Sequence, residues 1–167
     1  MTSSTKKTTN KKSFTVKTSP KLPPNPFAHE VLELASKQRS KAKKIEILQE
    51  YETDALKSIF IWNFDETVIS VLPAGDVPFN KNEVPVGTDH TSLRREYKHL
   101  YNFVKGGNDG LSNLRRETMF INLLQGLHPL EAQIICLVKD KNLESKYKIT
   151  QDVVSKAYPD IQWGNRS

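Results

Sequence analysis

Two arginine pairs, Arg94-Arg95 and Arg115-Arg116, and six lysines confined to the first 25 residues are the groups whose type and spacing point to a partner. Neighbouring helical residues diverge by about 100°, so each pair offers one guanidinium to any single partner. Arg95 and Arg116, with Lys98 one turn beyond Arg95, could meet a phosphate backbone if their helices share a face. The competing reading is structural. A cation in a first helical turn opposes the macrodipole, which favours ion pairs with Glu96, Glu117 or acids on neighbouring helices. Lys6, Lys7, Lys11, Lys12, Lys17 and Lys21 lie on a Thr/Ser-rich chain with no acid among them. Such a segment attracts polyanions weakly and without sequence preference, and engagement of all six would give a log–log salt slope of roughly −5 on duplex DNA. A merely solubilising terminus has the same composition.

Other chemistries find little support. The turn Lys105-Gly106-Gly107-Asn108-Asp109-Gly110 precedes a helical pattern, and backbone N–H groups at a helix start can hold phosphate. It lacks Walker spacing, and Asp109 would place a negative charge in the site, so a glycine C-cap followed by an Asp N-cap is the plainer reading. The histidines, His29, His90, His99 and His128, form no HxH or HExxH pattern, although His90, Glu96 and His99 could be neighbours. Cys136 stands alone between Ile135 and Leu137, a setting for a buried thiol and not for a nucleophile. There is no GxSxG motif and no identifiable pair of carboxylates for acid–base work. The expectation is a protein without catalytic residues, cofactor or metal.

Charge divides unevenly along the chain. Of 25 Lys and Arg residues, six fall in 1–25, where Asp and Glu are absent; the remaining nineteen face nineteen acids. The net charge of +6 therefore belongs to the tail, and the body is formally neutral. Residues 1–25 hold only Phe14, Val16 and Leu22 as sizeable apolar groups, too few to offset the entropy of ordering, so this segment is expected to be disordered. Pro20, Pro23, Pro24 and Pro26 then read as a stiff linker, giving a tail over 1–26 and one domain over 27–167. The N-terminus lacks the apolar core of a secretory signal, and no window approaches a membrane span, which suggests a cytoplasmic setting.

Helical periodicity begins at Phe27. Phe27, Val31, Leu34 and Ala35 share one face; Ser40 can cap a second helix with Ala42, Ile45, Leu48 and Tyr51 inward. Asp54 suits the cap of a third, 55–64, which is apolar nearly all round and expected to be deeply buried. Residues 68–72 read as a short strand or an extended packing segment. The strongest stripe is Leu93, Tyr97, Leu100, Tyr101 and Val104, ending at Gly106-Gly107. Leu111, Leu114, Thr118, Ile121 and Leu124 mark the next helix, His128-Pro129 opens another with Pro at the first helical position, and Thr150 caps a last one ending before Pro159. The last two helices invite a helix–turn–helix reading, but their connection over 141–149 is longer than that motif uses.

Residues 72–90, with Pro73, Gly75, Pro78, Pro85 and Gly87, form the least regular stretch of the body. Val77, Phe79, Val84 and Val86 suggest that it packs across the surface, and an exposed Phe79 beside Val84 would suit docking of a protein partner. The fold class is all-α, an irregular bundle of six or seven short helices with a disordered basic tail and one long Pro/Gly-containing loop.

The stretch Arg95-Glu96-Tyr97-Lys98-His99-Leu100-Tyr101-Asn102-Phe103-Val104-Lys105-Gly106-Gly107 carries a resemblance. With it go Arg115-Arg116-Glu117, Leu124-Gln125-Gly126-Leu127-His128-Pro129 and Ile135-Cys136-Leu137-Val138-Lys139-Asp140-Lys141, and earlier Asn63-Phe64-Asp65 and Leu72-Pro73-Ala74-Gly75. Over about residues 40–160 the chain resembles an uncharacterised family of small proteins of T4-like tailed phages, those of marine bacteria and cyanobacteria among them. The lysine tail lies outside it. The resemblance implies a viral origin and a place in the host cytoplasm or the virion, and it carries no catalytic or binding residue. Two function classes remain. One is a non-enzymatic accessory protein associating with DNA or RNA through the lysine tail and the Arg95, Lys98 and Arg116 face. The other is an interaction module that binds a host or viral protein through the 72–90 loop, with no membrane partner in either case.

Overall fold

Hydroxyl side chains start most of the helices, as the capping rule requires. A computed structural model describes residues 22–82 and 90–166. Its α-helices are α1 (Ala28–Ser36), α2 (Lys41–Glu50), α3 (Asp54–Phe64), α4 (Leu93–Glu96), α5 (Asn113–Gly126), α6 (Pro129–Lys139) and α7 (Gln151–Ala157), with 3₁₀ segments at Tyr97–Phe103 and Leu143–Ser145. Ser40, Ser112 and Thr150 accept the N–H of Lys43, Arg115 and Val153 respectively. The cap of α3 is Thr53, not Asp54. The extended backbone at Thr53 aims its hydroxyl at the Leu56 N–H, 3.1 Å away, and Asp54 becomes the first helical residue. His128 caps α6 through Nδ1, which accepts the N–H of Leu130 at 3.0 Å.

One apolar core runs from Ala28 to Ile161. Helix α3 crosses α6 and α7; α2 packs on α1 and α7, and α5 lies against α6. The all-α expectation holds: the described residues contain isolated bridges, Ser70 with Val104 and Thr91 with Leu127, but no strand. Residues 68–72 are thus the extended packing segment. Among the described residues no helix is long and apolar enough to cross a membrane. Nor do α6 and α7 make a helix–turn–helix unit. The buried face of α7, Val153, Val154 and Ala157, packs mainly on α2.

Two helices differ from their sequence pattern for reasons of packing. In α5 the inward row is Arg116, Phe120 and Leu124, whereas Leu114 is 78% exposed. The helix is rotated so that Phe120 meets Phe103 edge-on, with ring centroids 5.1 Å apart. The long helix expected over 93–104 is one α-turn followed by seven residues of 3₁₀ winding. Its end is drawn out by pairing with the extended segment. Val71 donates to the Phe103 carbonyl at 3.0 Å, and Lys105 donates to that of Ile69 at 2.8 Å. Three residues per turn place Leu100 and Phe103 inward and turn Tyr101 out, 51% exposed.

The 72–82 part of the loop is tied down. The buried Lys139 ammonium donates to the carbonyls of Pro73 and Gly75 and to Asp140 Oδ1, at 2.7, 3.1 and 2.7 Å. Phe79 is half-buried against the core. Val84 and the six tail lysines lie outside the described residues.

Candidate nucleic-acid interface

The rotation of Tyr101 opens a groove of about 390 Å³ between the outer side of α3 and the 3₁₀ segment. Ile61, Trp62 and Val68 form its apolar floor, and Tyr97 and Tyr101 form one wall. Lys98, Lys105 and Arg166 stand around it, and among the described residues no carboxylate lines it. Lys98 and Lys105 are exposed and take part in no ion pair among the described residues. Arg166 is more constrained, since its Nη1 lies 2.7 Å from Asp65 Oδ2. Burial alone would raise the Asp65 carboxyl, but donors from Thr67, Gly164 and Arg166 outweigh it and hold the group at about 2. That pairing fixes the C-terminal segment against the end of α3.

Trp62 is positioned through its indole N–H, which donates to Ser70 Oγ at 2.8 Å; Ser70 in turn donates to the Lys139 carbonyl at 2.6 Å. The rim at Gly106-Gly107 is low because it has to be. A Cβ on Gly107 would lie 1.9 Å from the Tyr101 carbonyl oxygen, and Gly106 has φ +88°. The three backbone donors of the rim are already engaged: Lys105 with Ile69, Gly106 with Asp109 Oδ1, Gly107 with Val104. The N–H groups that border the groove are therefore spent, and an anion there would be met by side chains.

Of the arginines and lysines singled out from sequence, Arg95 and Lys98 are exposed on successive turns of the α4–3₁₀ run. Arg116 is elsewhere. It is 5% exposed, and its guanidinium donates to the carbonyls of Asn102, Asn108 and Leu111 and to Asn113 Oδ1. In place of the acidic partners expected for it, three backbone carbonyls and the Asn113 side-chain oxygen fill its fork. Its role is to hold the 102–111 turn onto α5. Sequence reasoning passed over Tyr101 and Lys105 as parts of an interface, although Lys98, Tyr101 and Lys105 stand close together in the chain. Trp62 and Arg166 come from remote positions that no local pattern joins to them.

A second cluster was also unforeseen. Phe27, His29, His128 and His90 form a run of rings, with His29 and His128 centroids 4.6 Å apart and those of His90 and His128 5.4 Å apart. Phe27 stacks on His29 and His29 on His128, while His90 meets His128 at a tilt, and among the described residues no group of His, Cys, Asp or Glu is placed to hold a metal. Cys136 is half-buried, and burial pushes its thiol up to about 11, far from a reactive thiolate. Glu131 is buried with both oxygens engaged by backbone N–H groups.

No curated protein and no solved structure matches the chain. A family model does match, over residues 31–145, a span that runs from α1 through the second 3₁₀ turn and takes in the groove apart from Arg166. The chain belongs to the family of unknown function DUF6433.

Proposed function

We propose that this protein is a non-enzymatic accessory protein of a tailed phage that associates with nucleic acid in the host cytoplasm. The single observation that supports this most is the groove at Tyr101, where, among the described residues, Lys98 and Lys105 stand unpaired beside an aromatic wall and no carboxylate lines the site. A formally neutral body would be expected to scatter its charges, and here cations are gathered without acids. Arg95 extends the basic run by one turn. The six tail lysines add a sequence-independent attachment that raises local encounter with any polyanion. The phage setting rests on the resemblance of residues 40–160.

Fluorescence-anisotropy titration of the full chain with labelled DNA and RNA across a salt series tests the reading. One variant carries the six tail lysines as glutamine, and another carries Arg95→Ala, Lys98→Ala and Lys105→Ala. Neutralising the tail is expected to flatten the log–log slope on duplex DNA by roughly 5. The body variant is expected to weaken what remains. A wild-type chain that binds neither DNA nor RNA at low salt overturns the reading.

A further inference from the structure

Lysines alone would attract any phosphate backbone alike, duplex or single strand. Its shape adds something a duplex cannot use. The 3₁₀ winding places Lys98 and Tyr101 one turn apart, so that they stand eclipsed along the segment. Lys105 follows after the extended Val104, and the glycine rim leaves the Tyr101 ring approachable from the side. Half of that tyrosine is exposed, among the largest apolar exposures in the described part of the chain, and its side chain makes no hydrogen bond or ring contact among the described residues. Below it the floor of Trp62, Ile61 and Val68 is apolar and recessed.

Resting on the nucleic-acid reading, we propose that the groove is a site for an unpaired nucleotide of a single strand. The base stacks on the Tyr101 ring over the apolar floor, and the flanking phosphates meet Lys98 and Lys105. Aromatic faces accept any base by stacking, and cations alongside follow the backbone; together these recognise single strands with little sequence preference. In a duplex the base faces are covered by their neighbours, so the ring and the recessed floor would contribute nothing, and only the lysines would remain. The volume of about 390 Å³ lies within the range of small-ligand sites, which suits one nucleotide unit and not the width of a double helix.

The test uses the full-length chain with its six tail lysines replaced by glutamine, so that tail attachment does not mask the groove. Labelled oligothymidylate, a mixed-sequence single strand, its duplex and free thymidine monophosphate are the probes, with thermal melts as a check on folding. The expected result is preference for single strands over duplex and a loss of about fivefold or more on Tyr101→Ala. Tyr101→Phe should restore the affinity, and Lys98→Gln should lower the salt slope. Equal binding of duplex and single strand with Tyr101→Ala silent overturns the proposal while leaving the nucleic-acid reading intact. Binding by the wild type but not by the tail-neutralised chain also overturns it, because attachment then resides in the tail. Competition by thymidine monophosphate as strong as that by the oligonucleotide would make this a free-nucleotide site and reject the polymer. A wild-type chain that binds no probe removes the parent reading itself.

Discussion

Glu131, in the first turn of α6, accepts the backbone N–H of Ala28 across 103 positions of sequence, with Oε2 2.9 Å from the nitrogen. Its other oxygen accepts the N–H of Leu93 at 3.0 Å. One carboxylate therefore caps α1 and α4 together, neither of which has a capping hydroxyl engaged at its own N-cap position. Burial raises the Glu131 carboxyl, and the two N–H donors oppose that shift.

Removing this carboxylate should leave two buried donors without acceptors. Glu131→Ala is expected to cost about 2–5 kcal/mol in chemical denaturation, and Glu131→Gln less, because the amide keeps one acceptor even though its NH₂ then opposes the other N–H donor. A cost below about 1 kcal/mol for Glu131→Ala would show that α1 and α4 find other partners.

The histidine stack should make the fold acid-sensitive. Burial first, then the neighbouring His128, lower His29 from 6.5 to about 4. Folding thus disfavours the charged ring. The stability tied to this group is whole above pH 6.5 and is lost as pH falls toward 4, where the unfolded chain takes up a proton that the folded one resists. By linkage the loss is on the order of 3 kcal/mol. His128 is lowered too, by burial and by His90, and its Nδ1 must stay unprotonated to accept the Leu130 N–H. Neither ring nitrogen of His29 has a hydrogen-bond partner among the described residues. His29→Phe should therefore keep the stacking, match or exceed wild-type stability at pH 7, and show a shallower decline in thermal midpoint between pH 6.5 and 4. A decline as steep as that of the wild type would assign it to other groups.

These features differ in how far the chain announces them. Ser40, Thr150 and His128-Pro129 are legible because a cap acts on N–H groups two or three residues away, within one reading window. Thr53 and Asp54 are both good caps, and only the backbone angle at Thr53 decides between them. The face of α5 was not legible, because Leu114 and Ile121 repeat with nearly the same period as Phe120 and Leu124, and the inward row includes an arginine. Arg116 can be buried only because carbonyls from 102, 108 and 111 gather around it, which no local pattern reveals. The groove has the same character. Lys98 could be identified as an available cation, but the outward turn of Tyr101 depends on pairing between 103–105 and the extended segment.

Burial of Arg116 separates structure from binding. Arg116→Lys keeps the charge but cannot reproduce a fork that donates to four acceptors, so it should destabilise the fold by roughly 2–4 kcal/mol. Under conditions where the variant remains folded, its affinity for nucleic acid should match that of the wild type. Weakened binding by a folded Arg116→Lys chain, with an unchanged thermal midpoint, would return this residue to the interface.

The two rim glycines should respond in opposite degree to the same added methyl group. At Gly106 there is open space and only the left-handed backbone, φ +88°, opposes a side chain; Gly106→Ala should cost about 1–2 kcal/mol and leave the groove in place. At Gly107 the new Cβ would fall 1.9 Å from the Tyr101 carbonyl oxygen, a backbone atom that cannot swing aside as a side chain would. Relief requires the 3₁₀ segment or the turn to move, which would displace the Tyr101 ring and the pairing of Lys105 with Ile69 together. Gly107→Ala should therefore cost more than Gly106→Ala in urea denaturation. It should also reduce single-strand binding where Gly106→Ala does not. Equal effects of the two substitutions on both measurements would mean that the close approach at Tyr101 does not shape the groove.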